Sequence, residues 1–451
     1  MWQISLQKCQ LALCVAVALT VGFYKYTVTE KNAYVPWLFL GQPVLQRNLS
    51  QTARGFKGVP QQEKEVVLGL RGKPKLVLYW SPWFGTYWAA KKGSLTRFGT
   101  DLMDEMRADG CPEWRCIFTY DKRVLPLADA VLSIAEQFPR TPPLGRTPSQ
   151  RWLWVDVESP QTRTIPSKYV SHLVNWTMTY HERSDVVAFY GYFRSLNVSI
   201  QPVRPNLIEN HVAALARYRQ ALARNLTLLQ VMGPAWTTFV SRPKIVAWMS
   251  GRCPTPSKRE EYVRELARHI HVDMYGNCGT LKCGKRSPLE PECWLKTLRH
   301  YLFYMSMENS LCDQYITEKL YNPLVYKIVP VVWGGANYSR FLPPNSFIDA
   351  RKYHPKELAA LLLRLSRDPV AYSKYHLWRG FWEVRVGGSL CDLCHRLHTD
   401  TAEKHHVDLT AERLDNNRCV SVKRNLFGAN STAWREVINN NRTDSAEPLL
   451  R

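Results

Sequence analysis

Absences narrow this chain of 451 residues first. No internal repeat or low-complexity segment interrupts it, so neither a repeat array nor a tract of biased composition organises it. It is poor in acid: 38 Asp and Glu stand against 60 Lys and Arg, a formal net charge of +22. The basic residues are nevertheless scattered and build neither an arm nor a repeated basic helix, the footprint nucleic-acid binding requires. No nucleic-acid partner is expected, and the charge suits a protein with small anionic ligands. There is no convincing D-x-D pair for a divalent ion; Asp156-Val157-Glu158 comes closest. No metal and no resident cofactor are expected. Long apolar runs are also missing, with one exception. Cys9–Tyr24 holds 16 uncharged residues behind Lys8, just short of a comfortable membrane span of about 17–25. Extension to Tyr26 crosses Lys25, which can snorkel to the interface. Ala16-Val17-Ala18 offers a rival reading as a signal-peptide cleavage site, but the run continues through Leu19–Tyr24, which favours an uncleaved signal-anchor in the lipid bilayer.

The chain beyond that run reads as lumenal. Seven N-x-[ST] sequons lie there, at Asn48, Asn175, Asn197, Asn225, Asn337, Asn430 and Asn441. Six are glycosylation candidates, and Asn175 sits inside an apolar segment where a glycan has little room. Ten of the twelve cysteines also lie beyond the run, as suits an oxidising compartment. The expected order is a cytoplasmic tail over 1–8, a transmembrane helix over 9–26 and a polar stem over 27–72. A first folded domain is expected over 73–240, a second over 241–398 and a C-terminal tail over 399–451.

Hydrophobic patterning predicts the elements. Lys75–Tyr79, Arg115–Thr119, Asp129–Ile134 and Arg151–Val157 read as strands of the first domain, with Val186–Tyr190 as a further candidate. Four prolines mark Pro139–Pro148 as a loop. Leu207, Ile208, Val212, Leu215 and Leu222 lie at helical spacing within Asn206–Arg224. In the second domain Lys244–Met249 is a strand, and Ser257-x-x-Glu260 reads as a capping box opening a helix. Tyr262, Val263, Leu266, Ala267 and Ile270 give that helix one apolar stripe. His271–Tyr275 is the next strand. Tyr301–Met307 then runs into the polar turn Glu308-Asn309-Ser310, succeeded by a helix with Glu318 and Lys319 in its first half. A second apolar run, Ile328–Trp333, ends at Gly334-Gly335. This is a β-α-β unit, so a parallel sheet is expected. Where strand meets helix in such a sheet, the amides at the helix start attract anions. A nucleotide-phosphate site is expected at this turn.

The pattern E-N-S-x-x-x-x-Y-[ILV]-T-E-K, then V-P-V-V-x-G, over Glu308–Gly334, resembles the donor-binding signature of the inverting α1,3-fucosyltransferases of glycosyltransferase family 10. Val246-Ala247-Trp248 through Tyr275-Gly276 is similar to that family's "VAW…R…YV..L…VD.YG" block. Trp154–Pro160 with Asn175–Tyr180 resembles its "ESP…NWTMTY" block. Leu76–Gly85 resembles its first strand, and Cys391-x-x-Cys394 its C-terminal cysteine pair. The likeness spans roughly residues 75–398. It implies an α/β protein of GT-B type, two Rossmann-like domains facing across a cleft, that transfers fucose from GDP-fucose to a GlcNAc of a glycan in the Golgi. The segment Tyr275–Cys283 is closer to the enzymes acting on the innermost GlcNAc of N-glycans than to those building outer-branch Lewis structures. A catalytically silent glycan-binding protein on the same scaffold is the alternative from another class.

Sugar transfer from a diphosphate passes through an oxocarbenium-like transition state and needs cations or amides for the leaving group and a base for the acceptor hydroxyl. Arg259, near the start of the capped helix, is expected to clamp the diphosphate, with Arg252 as a sharer of that role. Lys319 is expected to neutralise the β-phosphate and Glu318 to bond sugar hydroxyls. Asn309, Ser310 and Tyr315 would supply amide, hydroxyl and stacking contacts to the donor. Glu158 ends an apolar strand before Pro160, which turns the chain toward the cleft. It is the expected base, and its bland rival is a carboxylate capping a strand end. His181 falls where the resembled motif has Arg, so it is not assigned to the donor. Cys391-x-x-Cys394 could be a zinc motif with His395 or His398, or disulfides with Cys111 and Cys116, and a lumenal chain favours disulfides. The remaining six lumenal cysteines, Cys253, Cys278, Cys283, Cys293, Cys312 and Cys419, allow 15 pairings.

Overall fold

The computed structural model describes residues 73–81, 103, 106–107, 110–162, 170–197, 203–204, 207–283, 291–386, 390–402, 406, 408–416, 418–422 and 426–427. The expected anchor and stem lie outside the described residues, as do Asn48, Asn430 and Asn441. No helix among the described residues is long and apolar enough to cross a membrane.

Short runs of β-branched and aromatic residues, buried on both faces, become parallel strands. β1 (Lys75–Tyr79), β2 (Cys116–Thr119), β3 (Ala130–Ile134), β4 (Arg151–Asp156), β5 (Trp176–Thr179) and β6 (Val186–Val187) form one sheet in the order β2-β1-β3-β4-β5-β6. Every pairing in it is parallel. β7 (Gly191–Ser195) leaves this sheet, and helix α1 (Val212–Ala223) comes next. The buried side of α1 carries Ala214, Leu215, Tyr218 and Ala221, while Val212 is 70% exposed. Leu207 and Ile208 belong instead to a preceding 3₁₀ turn, so the helix starts later and on a different face than the spacing predicts.

The second sheet comprises β8 (Lys244–Met249), β9 (Val272–Tyr275), β10 (Tyr301–Met307), β12 (Val329–Trp333) and β13 (Ile348–Asp349) in the parallel order β13-β12-β10-β8-β9. Between them run α2 (Arg259–Leu266), β11 (Leu311–Cys312) and α3 (Glu318–Val325). Tyr262, Val263, Leu266 and Ile270 of the expected stripe are buried in this half's core. The chain leaves β8 for one side of the sheet and returns as β10 on the other. Loops at the carboxyl ends of β8 and β10 therefore diverge, which is where open α/β sheets bind ligands. Gly276, at φ +84°, lets the turn after β9 press on this point; a Cβ there would lie 2.5 Å from the Ser250 carbonyl oxygen.

After α4 (Pro355–Arg367) the chain crosses back. β14 (Trp382–Val386) pairs antiparallel with β7. α5 (Cys391–Thr399) is bonded to the first sheet through Cys111–Cys391 and Cys116–Cys394. Residues 382–399 thus bond to the first half, while Val384 and Val386 of β14 also pack against the core of the second. Pairings across about 190 residues and 280 residues leave no local pattern to read. The thiols of Cys391 and Cys394 are consumed by these bonds. A grouping of Cys116, Cys394 and His398 therefore offers an ion only the imidazole. Cys253–Cys278 and Cys283–Cys293 brace the loops around β9, and Cys312–Cys419 ties β15 (Cys419–Val420) to β11.

The tail docks through a buried histidine. His406 lies 3.3 Å from Asp185 and 2.8 Å from Glu412, with Arg396 3.8 Å from the same Asp185. Burial alone would depress the imidazole, but the two carboxylates raise it above its ordinary value. A raised folded-state value stabilises below the unfolded pKa of about 6.5 and is lost as pH rises through the folded value. Protease cleavage around residues 400–416 should accordingly quicken from about pH 6 to about pH 8, and His406→Asn should abolish that dependence.

Candidate active site

The second sheet supplies a buried charge cluster at its switch point. β10 is buried along its whole length and delivers Glu308 into the interior, 1% exposed. Its Oε1 accepts from the Thr317 amide at 2.8 Å and the Thr317 hydroxyl at 2.9 Å. Thr317 is the N-cap of α3: its backbone is extended and its hydroxyl accepts from the Lys319 amide. The Lys319 ammonium then sits 2.9 Å from Thr317 Oγ1, 2.9 Å from Glu318 Oε1 and 3.3 Å from Glu308 Oε2. One cation is shared by two carboxylates at the head of a helix. Burial raises Glu308 above the usual carboxylate range despite Lys319. At Glu318 burial pushes up but the Lys319 charge and hydrogen bond prevail, and it is lowered. Burial works against the charged form of Lys319, and the two carboxylates outweigh it.

Arg259 lies behind this cluster, 3% exposed. Nη1 donates to the Met307 carbonyl at 2.7 Å, and Nη2 donates to Ser250 Oγ at 2.8 Å and the Arg252 carbonyl at 3.2 Å. It pins the loop after β8 to the end of β10. The expected capping box is not what starts its helix. The N-cap is Lys258 at φ +54°, without a side-chain cap. Ser257 Oγ instead donates to the Glu308 carbonyl at 2.6 Å, and Glu260 accepts from the Thr255 amide at 3.1 Å and hydroxyl at 2.8 Å. Ser257 sits close enough to β10 for a carbonyl to compete with the local amide, a contact that spacing along the chain cannot reveal. Arg252 is exposed, and only its carbonyl meets Arg259.

The first sheet brings its own carboxyl end to the same place. β4 runs out at Asp156, whose Oδ1 accepts from the Glu158 amide at 3.1 Å. Glu158 is half-buried, and its Oε2 accepts from the Tyr315 hydroxyl at 3.1 Å. The next residue, Ser159, donates to Ser310 Oγ at 2.6 Å. Tyr190 donates to the Val157 carbonyl at 3.0 Å. Tyr180, at the end of β5, packs its ring 4.9 Å from that of Tyr315. Glu158 and the segment 308–319 are thus joined across the two sheets.

Of the expected donor residues, Glu318, Lys319 and Asn309 cluster at the switch point. Asn309 Oδ1 and Arg259 Nε are buried without a hydrogen-bond partner. Tyr315 and Ser310 are fully buried and bond the first sheet's residues. His181 is 2% exposed, and its Nδ1 accepts from the Arg183 amide at 3.2 Å, a local turn. Sequence reasoning passed over Glu308 and Thr317 as functional residues, although Glu308 is the first letter of the E-N-S triplet. Ser159 is the middle letter of the E-S-P triplet but was given no role, and Gln314 had no sequence signal. Among the sequons, Asn197 and Asn225 are exposed, Asn337 is half-buried, and Asn175 is buried with its Oδ1 accepting from the Trp152 amide at 2.9 Å.

A basic residue shared by buried acids at a helix head, facing a second carboxylate across parallel sheets, is the equipment of a group-transfer enzyme with an anionic leaving group. Comparison with known proteins specifies which. The model for the N-terminal domain of fucosyltransferases matches residues 72–191, and that for glycosyltransferase family 10 (fucosyltransferase), C-terminal, matches residues 239–412. Alpha-(1,3)-fucosyltransferase C of Drosophila melanogaster is 34% identical over 332 residues, covering 72% of this chain and 73% of that protein. The human 4-galactosyl-N-acetylglucosaminide 3-alpha-L-fucosyltransferase FUT6 is 32% identical, covering 63% of this chain and 72% of that protein. A crystal structure of an alpha1,3-fucosyltransferase with GDP aligns at a TM-score of 0.44 and 14% identity over 74% of this chain and 93% of that one, a likeness too slight to add to the assignment. The chain belongs to glycosyltransferase family 10, the fucosyltransferases, and is an enzyme of that family.

Proposed function

We propose that this enzyme transfers L-fucose from GDP-fucose to O3 of a GlcNAc residue of a glycoprotein glycan, with inversion and without a metal ion, across a cleft of GT-B type. The observation that carries the reading is the placement of Glu158 opposite the Lys319–Glu308–Glu318 cluster, one Tyr315 side chain away. Glu158 takes the proton from the acceptor hydroxyl as that oxygen bonds to fucose C1 from the face opposite the departing GDP. Lys319 and the start of α3 receive the leaving diphosphate. Arg259 holds positive charge behind it, and Asn309 Oδ1 and Arg259 Nε are buried polar atoms that a donor could satisfy. A silent glycan-binding protein has no need of Glu158, Arg259, Glu318 and Lys319 together, and all four are present.

For the acceptor, the Tyr275–Cys283 segment supports the innermost GlcNAc of N-glycans. The names of the vertebrate relatives favour the second reading, a galactosylated outer-branch GlcNAc. The signal-anchor over 9–26 would hold the enzyme in the Golgi membrane with its catalytic part lumenal. Incubation of the protein with GDP-fucose and defined N-glycans decides between acceptors by which GlcNAc gains fucose. Because protein cations do the work of a metal, EDTA should leave most of the activity in place. Complete loss restored only by manganese or magnesium would overturn the metal-free reading.

A further inference from the structure

A cluster of cations lies at the end of the second sheet away from the site. Arg242, just before β8, donates from Nη1 to the Tyr301 carbonyl at 2.8 Å and from Nη2 to the Tyr326 carbonyl at 3.1 Å. Arg379 donates from Nη2 to the Leu324 carbonyl at 2.7 Å. These two guanidinium groups hold the last carbonyls of α3, where a helix favours positive charge. Lys327 and Arg299 have no such task. Lys327 follows the end of α3 at φ +59°, the left-handed conformation usually left to glycine. A long side chain kept in that conformation points to a use for it. Its ammonium lies 4.2 Å from the centre of the Phe239 ring and 5.5 Å from that of Trp236. Burial lowers Lys327 below its ordinary value, and Arg379 and Arg242 lower it further. Burial also lowers Arg242, and the exposed Arg299 acts on it in the same sense. Burial, then Arg379, Arg242 and Lys327, hold the buried His376 well below the usual histidine value. The local field is positive.

Apolar groups share this corner of the molecule. Trp236 and Phe239 are half-buried with their rings 5.0 Å apart, and neither joins a hydrophobic core among the described residues. Leu229 and Val370 are 54% and 69% exposed, on short helices that pack against the segment 374–380 carrying Arg379. Position matters as much as composition. Arg242, Tyr301 and Lys327 stand at the amino ends of β8, β10 and β12, whereas Glu308 and the site stand at the carboxyl ends. Because the strands are parallel, the length of β10 separates the two, roughly 20 Å at about 3.3 Å per residue. A partner on this face leaves the cleft open.

We propose that this face docks on the surface of an anionic lipid bilayer. The cations meet charged headgroups, and Trp236, Phe239 and the exposed aliphatic tips sit at headgroup level. A soluble polyanion would use the cations and leave Leu229 and Val370 in water. The choice of a bilayer rests on the membrane attachment proposed above. Docked this way, the cleft turns away from the membrane and toward its glycoprotein substrates. The test uses the full chain with vesicles of phosphatidylcholine, alone or mixed with phosphatidylserine, and a water-soluble acetylating reagent read by mass spectrometry. Labelling of Lys327 should fall about fivefold or more on the mixed vesicles relative to phosphatidylcholine alone. It should recover in about 0.5 M salt. Exposed Lys122, beyond the carboxyl end of β2, should label equally on both. Arg299→Glu should cancel the protection of Lys327 and leave fucose transfer in detergent within about twofold. Equal labelling of Lys327 on both vesicles overturns the docking, as does protection that survives salt and Arg299→Glu. Equal protection by dissolved heparin would make the partner a soluble polyanion and also overturns it. Flotation of the same samples separates the two readings. A chain that floats with both vesicles while Lys327 labels equally keeps its anchor and loses the docking. One that floats only with the mixed vesicles, and is released by salt, keeps the docking and loses the anchor. One that floats with neither loses both.

Discussion

Lys319→Ala should lower the rate of transfer by about 10²–10³-fold, the usual cost of losing one preorganised contact to a developing negative charge. The structure adds a complication. Lys319 is also the cation next to Glu308, which is 1% exposed. Breaking a buried pair from one side commonly costs about 3–5 kcal/mol. Glu308 can soften this by taking a proton, because burial already favours its neutral form. Some fall in melting temperature is therefore expected from the single change, and the double change Lys319→Ala with Glu308→Gln should recover it. Activity should not recover with it. Steady-state kinetics and thermal melts on the three proteins separate the two roles. If the double variant regains near-normal transfer, Lys319 serves only to neutralise Glu308, and the leaving diphosphate is stabilised by other groups.

Glu158→Gln should lower transfer by about 10²–10⁴-fold, the range of a general-base contribution, while GDP affinity barely changes. Gln keeps an oxygen that can accept from the Tyr315 hydroxyl, so the contact across the sheets survives the change. What it loses is the capacity to take a proton. Titration with GDP and measurement of kcat on the same preparation give the two numbers needed. A collapse of GDP binding would show that Glu158 holds the two sheets in register, and another carboxylate would then have to be the base. If neither quantity changes, Glu158 is a strand-end acceptor and nothing more.

Much of this architecture is legible along the chain because the controlling physics is local. A strand buried on both faces reads as a near-continuous apolar run, so Tyr301–Met307 and Ile245–Met249 stand out directly. The polar turn at 308–310 and the acid-base pair at the head of α3 interrupt those runs abruptly, which is why the site shows in the linear sequence. The cysteine pair at 391 and 394 suits disulfides in a lumenal chain, and the structure bonds it to the expected Cys111 and Cys116.

What each polar group faces is settled by packing between distant segments. Ser257 carries the letters of a capping box, yet β10 lies near enough for the Glu308 carbonyl to take its hydroxyl. Arg259 carries the charge of an open clamp, yet burial commits its terminal nitrogens to backbone carbonyls and Ser250. Tyr315 is expected on the donor and instead bonds Glu158 from 157 residues away. The pairing of β14 with β7 and the bonding of α5 to Cys111 and Cys116 have the same origin. Each is a meeting of segments far apart in sequence. Periodicity reports which face of an element is apolar, and only the completed packing determines what that face, and the polar groups around it, come to touch.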